Sequence, residues 1–520
     1  LKMLIPIVDC RVPQPLSVKG EAAAVPDEEI IRRLALPGEI ILWLSKQEAS
    51  SAPCEEKERT LRDAGTCVGP FSLLQPNDAR AWLNAGAHHA LFAAGSTSGD
   101  TAALLEALDH AKSSEGLPAE RLVVQLDVSV RAEEDCQSVL EVVEALAAKK
   151  GSGCRECEYP KTVGIVSGVL IVLAPSAADA DAEARKTAEA MLFASLTPYG
   201  KQDRLTVMVA GFESRVGPSA VAEFHKACIH LAAPATLGPV DLAGTSVGAA
   251  ASPAEASFVP PPFTEKTPLV DVGACLAACT RSDRPDKMYA TLVDELSGAS
   301  LGLVYSSDVS LSAAVRKGRG IYWSRSRNSL WEKGASSGAW QHLIRIQLDC
   351  DSDALRFVIQ QHGVPPAFCH RNTLSCWGYP TGMRELQATL QARMLSAPAG
   401  SYTKRLFDDP ILLQQKLVEE AQELAEATDR DHVAAEAADL FYFGMVRVVA
   451  AGASMADIEA HLDRRALKIA RRPGHAKAAR TQAADKILAD AKLAKESKAV
   501  GGNAVQSQSQ SQSQSQSQSQ

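Results

Sequence analysis

Residues 1 to about 240 alternate short apolar runs with amphipathic stretches, and this alternation limits the fold more than any other feature of the chain. The runs LIPIVDC (4–10), EIILWLS (39–45), HALFAAG (89–95), RLVVQLDV (121–128), TVGIVSGVLIVLA (162–174) and RLTVMVAG (204–211) have the composition of buried strands. Between them, DARAWLNAGA, TAALLEALDHA, CQSVLEVVEALAAK, ADAEARKTAEAMLFASL and PSAVAEFHKACIHLA carry apolar residues at helical spacing. Apolar strands separated by helices predict an α/β domain at 1–243 with a mostly parallel sheet. The pattern does not choose between an open sheet and a closed barrel. No glycine-rich phosphate loop follows a strand, so the domain is given no cofactor and no role.

A chain of 520 residues has room for about two to four domains. Its net charge of -8 argues against bulk nucleic-acid binding, which draws on basic surface. The longest apolar run, GIVSGVLIVLAP at 164–175, is too short to cross a bilayer, and Asp9 interrupts the apolar start. Neither a membrane span nor a secretory leader is expected. Twelve scattered cysteines in a long chain read as reduced thiols in the cytoplasm. Cys154 and Cys157 form a CxxC with no second ligand pair nearby, and Cys275 and Cys279 are expected to pack as small apolar residues. The run GTSVGAAASPAEASFVPPPFTEKTP (244–268), rich in small residues and proline, reads as a linker, drawn at 244–284.

Beyond the linker, MYATLVDELSGASLGLVYSS (288–307) reads as a hairpin turning near Ser297 and Gly298, followed by a short helix at 311–316. The chemistry is concentrated in RIQLDCDSDALRF (345–357). As a strand, this stretch places Asp349, Asp351 and Asp353 on one face and Cys350 on the other. Three carboxylates at that spacing call for a hard divalent cation, since like charges so close repel. Cys350 joined by Cys369 and Cys376 makes three soft thiolates, a set that zinc fits with one position left for water. In YWSRSRNSLWEKG an extended backbone puts Trp323, Arg325 and Arg327 on one face.

Taken together, IYWSRSRNSLWEKG (321–334), LDCDSDAL (348–355), the Cys369–His370 pair and the Ser375–Cys376 pair resemble phosphoribosyl-AMP cyclohydrolase of histidine biosynthesis, over about residues 285–378. The resemblance implies a strand-rich α+β domain at 285–380 that forms a homodimer. It implies Zn2+ shared between subunits on Cys350, Cys369 and Cys376, and Mg2+ on Asp349, Asp351 and Asp353. The implied reaction is hydrolytic opening of a purine ring between N1 and C6. His370 is the first choice for the proton shuttle and His342 the second. Arg325 and Arg327 suit the substrate's phosphates.

After Tyr379 the pattern turns helical. Lys416, Glu419, Glu420 and Glu423 make KxxEExxE, and Glu436 with Asp439 makes ExxD on the next helix. Spacings of three and four line the carboxylates along one side of each helix, and two such helices packed antiparallel need Mg2+ and a polyphosphate between them. With GSYT (400–403) and EAADLFY (436–442), the stretch resembles phosphoribosyl-ATP pyrophosphohydrolase, an all-α relative of the MazG-type nucleotide pyrophosphatases, in a domain at 381–477. The resemblance implies that Glu419, Glu420, Glu423, Glu436 and Asp439 bind metal and that Lys416 meets phosphate.

From 478 an Ala/Lys-rich helix leads into a Gln-Ser repeat that starts at Gln506 and is expected to be disordered. Too few residues follow for the histidinol dehydrogenase domain that often continues this pair in fungi. The resulting expectation is a fungal-type bifunctional hydrolase of the small molecules phosphoribosyl-ATP and phosphoribosyl-AMP, with no nucleic-acid or membrane partner. Its alternatives are a chain with one active centre, the helical module acting as a general nucleotide pyrophosphatase, and a metal-stabilised scaffold.

Overall fold

The structure, a computed structural model, describes residues 4–9, 27–44, 46–53, 61, 65–73, 75–96, 101–113, 115–129, 133–147, 166–173, 182–200, 205–215, 217–236, 270–378, 382–398, 400–469, 482, 486 and 489. The CxxC at 154–157, residues 244–269 of the expected linker and the Gln-Ser tail lie outside them. The chain divides into two compact units, 1–385 with 455–469 and 386–454 with 470–520.

The first unit opens with eight parallel strands: β1 (Leu4–Asp9), β2 (Glu39–Trp43), β3 (Gly65–Ser72), β4 (His89–Ser96), β5 (Leu122–Val128), β6 (Gly168–Leu173), β7 (Thr206–Ala210) and β8 (His230–Thr236). They pair in chain order, and β8 pairs back onto β1, so the sheet is a closed barrel. Helices α1 (Asp27–Leu34), α2 (Lys46–Ala49), α3 (Asn77–Ala85), α4 (Thr101–Ser113), α5 (Glu133–Ala147), α6 (Ala182–Gly200) and α7 (Pro218–Lys226) lie between strands. The two-residue period of each strand separates two cores. Ile5, Ile41, Cys67, Leu91, Val123 and Leu170 belong to a cluster inside the ring, while Val124, Leu126, Val139 and Leu192 belong to the larger one outside it.

Two of the eight strands, β3 and β8, were not anticipated. The helical reading of PSAVAEFHKACIHLA overran: α7 stops at Lys226, Cys228 takes φ +56°, and His230 begins β8. The last part of the expected linker is also structured. β9 (Val270–Asp271) pairs in parallel with the end of β8, and α8 (Val272–Cys279) follows, its amino terminus capped by Asp271 accepting from Ala274 N at 2.8 Å. Cys275 and Cys279 are buried in α8, and burial pushes the Cys279 thiol up to about 12.

The strand-rich middle begins with the expected hairpin, β10 (Tyr289–Glu295) and β11 (Ser300–Ser306), which turns at Gly298 with φ +83°. Helix α9 (Asp308–Lys317) has a capping box between Ser307 and Ser310 and ends on left-handed Gly318. A small hairpin of β12 (Ile321–Ser324) and β13 (Ser329–Glu332) precedes β14 (Gln341–Leu348) and β15 (Ala354–Gln361). The sheet order is β11-β10-β15-β14, leaving β14 at an edge. The barrel covers that edge. Ile346 N donates to Leu36 O at 2.8 Å, Arg32 Nη1 to Leu343 O at 2.6 Å, and buried Arg33 Nη1 to Arg316 O at 2.7 Å. Glu29 accepts from both arginines, fixing them for this contact.

The carboxyl-terminal region is helical: α10 (Met383–Ser396), α11 (Tyr402–Asp408), α12 (Pro410–Glu426), α13 (Arg430–Ala450) and α14 (Met455–Leu467), of which α14 groups with the first unit. Asp409 caps α12 ahead of Pro410, accepting from Ile411 N and Leu412 N, and Asp429 caps α13 by accepting from His432 N. Helices α11, α12 and α13 pack together, burying Leu406, Leu413, Phe443, Val446 and Val449. Among the described residues no helix is long and apolar enough to cross a membrane.

Candidate active site

The acidic triplet does not lie on a strand. β14 ends at Leu348 and β15 starts at Ala354, so Asp349, Asp351 and Asp353 occupy the turn of a hairpin. The turn gathers them more tightly than strand alternation would: one carboxylate oxygen from each lies within 4.8 Å of the others. Asp349 Oδ1 accepts from Asp353 N at 3.0 Å and Ala354 N at 3.1 Å, and Ser352 takes φ +67°. Buried Ser352 is held from the barrel, its Oγ 2.9 Å from His225 Nε2 on α7 and its carbonyl accepting from Arg281 N at 2.7 Å.

Electrostatics bear out the crowding. Burial raises the Asp349 carboxyl, but the Ala354 and Asp353 donors outweigh it and hold this group below the usual range. Asp353 is driven up, first by its hydrogen bond with Asp349 and then by the charge of Asp351. Such a set relaxes when a cation enters.

Of the three thiols, two meet. Cys369 and Cys376 share a hydrogen bond; the Arg371 backbone N–H and the Thr373 side chain hold the Cys369 thiol down, while burial and Cys369 raise that of Cys376. Cys350 is exposed on the acidic turn, and among the described residues no group of three ligands containing these thiols closes within one chain. The expectation is of a site shared between subunits, and within one chain the pair is what the fold assembles. The pair is pinned by Cys376 N donating to Leu301 O at 2.7 Å, and at Gly302 an added Cβ would sit 3.2 Å from Cys376 Sγ. Buried Lys333, which sequence reasoning missed, faces the pair: burial lowers its ammonium pKa while the charges of Cys376 and Cys369 raise it. Its only signal was its place inside the WEKG run.

His370 is exposed, with Nδ1 3.9 Å from Cys369 Sγ. His342 lies at the barrel contact instead, Nε2 3.9 Å from Glu29 Oε2, and burial together with Arg32 pulls it down to about 4. Arg325 and Arg327 sit in the turn between β12 and β13, so the extended-strand expectation fails for them. Both are exposed; Arg325 stacks its guanidinium 3.7 Å from the centre of the Tyr305 ring, and Arg327 Nε donates to Ser324 Oγ at 3.2 Å. Beside the acidic turn a cavity of about 560 Å3 opens between barrel and sheet, lined by Glu39, His88, His89, Arg345, Asp349 and Arg356 among others. Its size is that of small-molecule pockets, about 300–1,000 Å3.

The second cluster belongs to the helical unit. Glu420 and Glu423 on α12 and Glu436 on α13 bring carboxylate oxygens within 4.8 Å of one another. Glu420 is buried, and Lys416 Nζ lies 2.8 Å from it and 2.7 Å from Glu419, raising the lysine pKa. Glu423 is pushed up by burial and then by Glu420 and Glu436. Glu419 and Asp439 stand outside this group of three, both exposed. His432, unanticipated, lies 3.2 Å from Glu436 Oε1 through Nε2. GSYT acquires a structural meaning: Ser401 caps α11, and buried Thr403 Oγ1 is 2.9 Å from Tyr442 OH and accepts from Arg393 Nη1 at 3.1 Å.

Comparison with known proteins follows this division. Residues 302–378 match the phosphoribosyl-AMP cyclohydrolase family model and residues 383–466 that of phosphoribosyl-ATP pyrophosphohydrolase. The histidine biosynthesis bifunctional protein HisIE of Synechocystis sp. is 37% identical over 168 residues, 29% of this chain and 76% of that protein. The chain belongs to this bifunctional histidine-biosynthesis family. A histidine biosynthesis trifunctional protein of Kluyveromyces lactis is 54% identical over 198 residues, 38% of this chain and 25% of that protein. A bifunctional protein of Schizosaccharomyces pombe is 47% identical over 223 residues, 43% of this chain and 53% of that protein. The match thus spans about a quarter of the trifunctional relative and about half of the fission-yeast one.

Proposed function

We propose that this member of the bifunctional family catalyses two consecutive hydrolyses of histidine biosynthesis. In the helical module, an all-α relative of MazG-type pyrophosphatases, water attacks the α-phosphorus of phosphoribosyl-ATP and the bond to the β-phosphate oxygen breaks, giving phosphoribosyl-AMP and pyrophosphate. In the strand-rich module, water adds to C6 of phosphoribosyl-AMP, the C6–N1 bond breaks, and a proton passes to N1. The observation that carries this reading is that each matched segment closes a carboxylate cluster within 4.8 Å, one on Asp349, Asp351 and Asp353 and one on Glu420, Glu423 and Glu436.

Both clusters suit Mg2+, a hard ion bound through oxygen, and the Cys369–Cys376 pair suits Zn2+. When bound, magnesium offsets phosphate charge and zinc makes water acidic enough to act near neutral pH. The protein's own groups do the remainder. Lys416, paired with Glu419 and Glu420, meets phosphate, and Glu419 and Asp439 add carboxylates for the metal. His370, beside Cys369, delivers the proton to N1. Arg325 and Arg327, exposed on their hairpin turn, receive the phosphates of phosphoribosyl-AMP.

A homodimer completes the zinc site. Two thiols meet in one chain and the third, Cys350, is exposed on the acidic turn, as needed if it serves a second copy. The free thiols suit a reducing compartment such as the cytoplasm. Incubation of the full chain with phosphoribosyl-ATP and Mg2+ tests the whole reading: mass spectrometry should show pyrophosphate, then phosphoribosyl-AMP, then a species heavier by one water. Arrest at phosphoribosyl-AMP would remove the second activity, and intact phosphoribosyl-ATP would remove both.

A further inference from the structure

The strand-rich sheet docks on the amino-terminal end of the barrel, where Pro37, Gly38, Gly65 and His88 precede or begin their strands and line the cavity shared with the sheet. In closed parallel barrels that end serves stability, whereas binding and chemistry gather at the carboxyl ends of the strands. The acidic turn of the sheet lies at this amino-terminal end, with Asp349 lining the shared cavity.

At the carboxyl end, one strand departs from apolar filling. On β5 the face that carries Val123 into the inner core continues with Gln125 and Asp127 near the strand's carboxyl end. Gln125 is only 5% exposed. Its Nε2 donates to Asp127 Oδ1 at 2.8 Å, and its Oε1 is buried with no hydrogen-bond partner. Buried acceptors are nearly always paired, and Leu or Met would fill such a position without leaving one orphaned. The rim nearby is also built to stay in place. Fully buried Glu189 on α6 accepts from Glu213 N at 2.7 Å and Ser214 N at 3.0 Å, and Arg185 Nη2 donates to Gly211 O at 2.6 Å, which clamps the loop after β7.

With its amide nitrogen committed, Gln125 presents an acceptor beside the acceptors of the Asp127 carboxylate. Two neighbouring acceptors, one of them anionic, match a ligand that offers two adjacent O–H donors. We propose that the carboxyl-terminal mouth of the barrel is a separate binding site for a ribose-type sugar, whose vicinal hydroxyls donate to Gln125 Oε1 and to Asp127. This site does not depend on either hydrolytic activity.

The test is calorimetric titration of the full chain with D-ribose 5-phosphate and with 2-deoxy-D-ribose 5-phosphate, which share the phosphate and differ in the diol. A site built around hydroxyl donors rejects the analogue lacking one, so the ribose compound should bind at least about tenfold more tightly. Gln125→Met and Asp127→Asn, each checked for an unchanged circular-dichroism spectrum, should weaken ribose 5-phosphate by at least about tenfold, while Cys369→Ser and Glu420→Gln leave it as in the parent chain. Equal affinity for the two sugars overturns the proposal. So do undetectable binding, unaltered binding in both barrel variants, or loss of binding in either hydrolase variant. If both barrel variants misfold, the comparison of the two sugars decides alone.

Discussion

Single side chains separate the two proposed centres. Cys369→Ser is expected to abolish ring opening and lower bound zinc while pyrophosphate release persists, because Cys369 is the thiol its surroundings drive towards thiolate. Glu420→Gln should do the reverse, cutting pyrophosphate release by at least about 100-fold, since this carboxylate is both buried and shared with Lys416. Assaying both activities in both variants checks the assignment; parallel loss in either one would tie the centres together. His342 carries a pH dependence of stability. Its folded pKa lies at about 4, below the ordinary 6.5, so the unfolded chain takes up the proton first. Stability from this group is whole above about 6.5 and falls as pH drops towards about 4, and His342→Gln should flatten the decline in thermal midpoint over that window. The residue types at both sites were readable from spacing. Lys333 and His225 were not, because each acts through a contact with residues distant in sequence.

At the level of elements, strands with β-branched runs were legible, and strands interrupted by glycine, proline or alanine were not. β3 contains Gly69 and Pro70, and β8 is largely alanine and proline, so neither shows a strand-like apolar run. The acidic segment was taken for a strand because its alternation is the same whether it continues or turns; the left-handed Ser352 decides. The β12, β14 and β15 strands are tied together by a buried amide relay: Tyr322 OH donates to Gln341 Oε1 at 2.7 Å, Gln341 Nε2 to Gln361 Oε1 at 2.9 Å, and Gln361 Nε2 to His362 O at 2.9 Å. Gln341→Leu would strand the Tyr322 hydroxyl and an acceptor of Gln361, costing about 2–6 kcal/mol at about 1–3 kcal/mol for each orphaned group. Urea denaturation of variant and parent would measure it, and a change under about 0.5 kcal/mol would show that water replaces the relay.

For the whole molecule, the barrel is what sequence patterning approached but could not close. Closure depends on β8 returning to β1 across more than two hundred residues, and no local period records such a pairing. The covering of β14 by the barrel is equally non-local, and it bears on how this chain can be cut. A fragment starting near residue 285 keeps every group of the cyclohydrolase segment but strips Leu36 from Ile346 and the two guanidinium groups from Leu343 and Arg316. Its rim would then bare the Ile346 amide and the Leu343 carbonyl beside apolar side chains, an opening for another copy. Such a fragment should scatter light and grow in size with concentration, whereas the intact chain should hold a fixed mass. Catalytic loss in a truncated protein would then report self-association rather than damage to the chemistry.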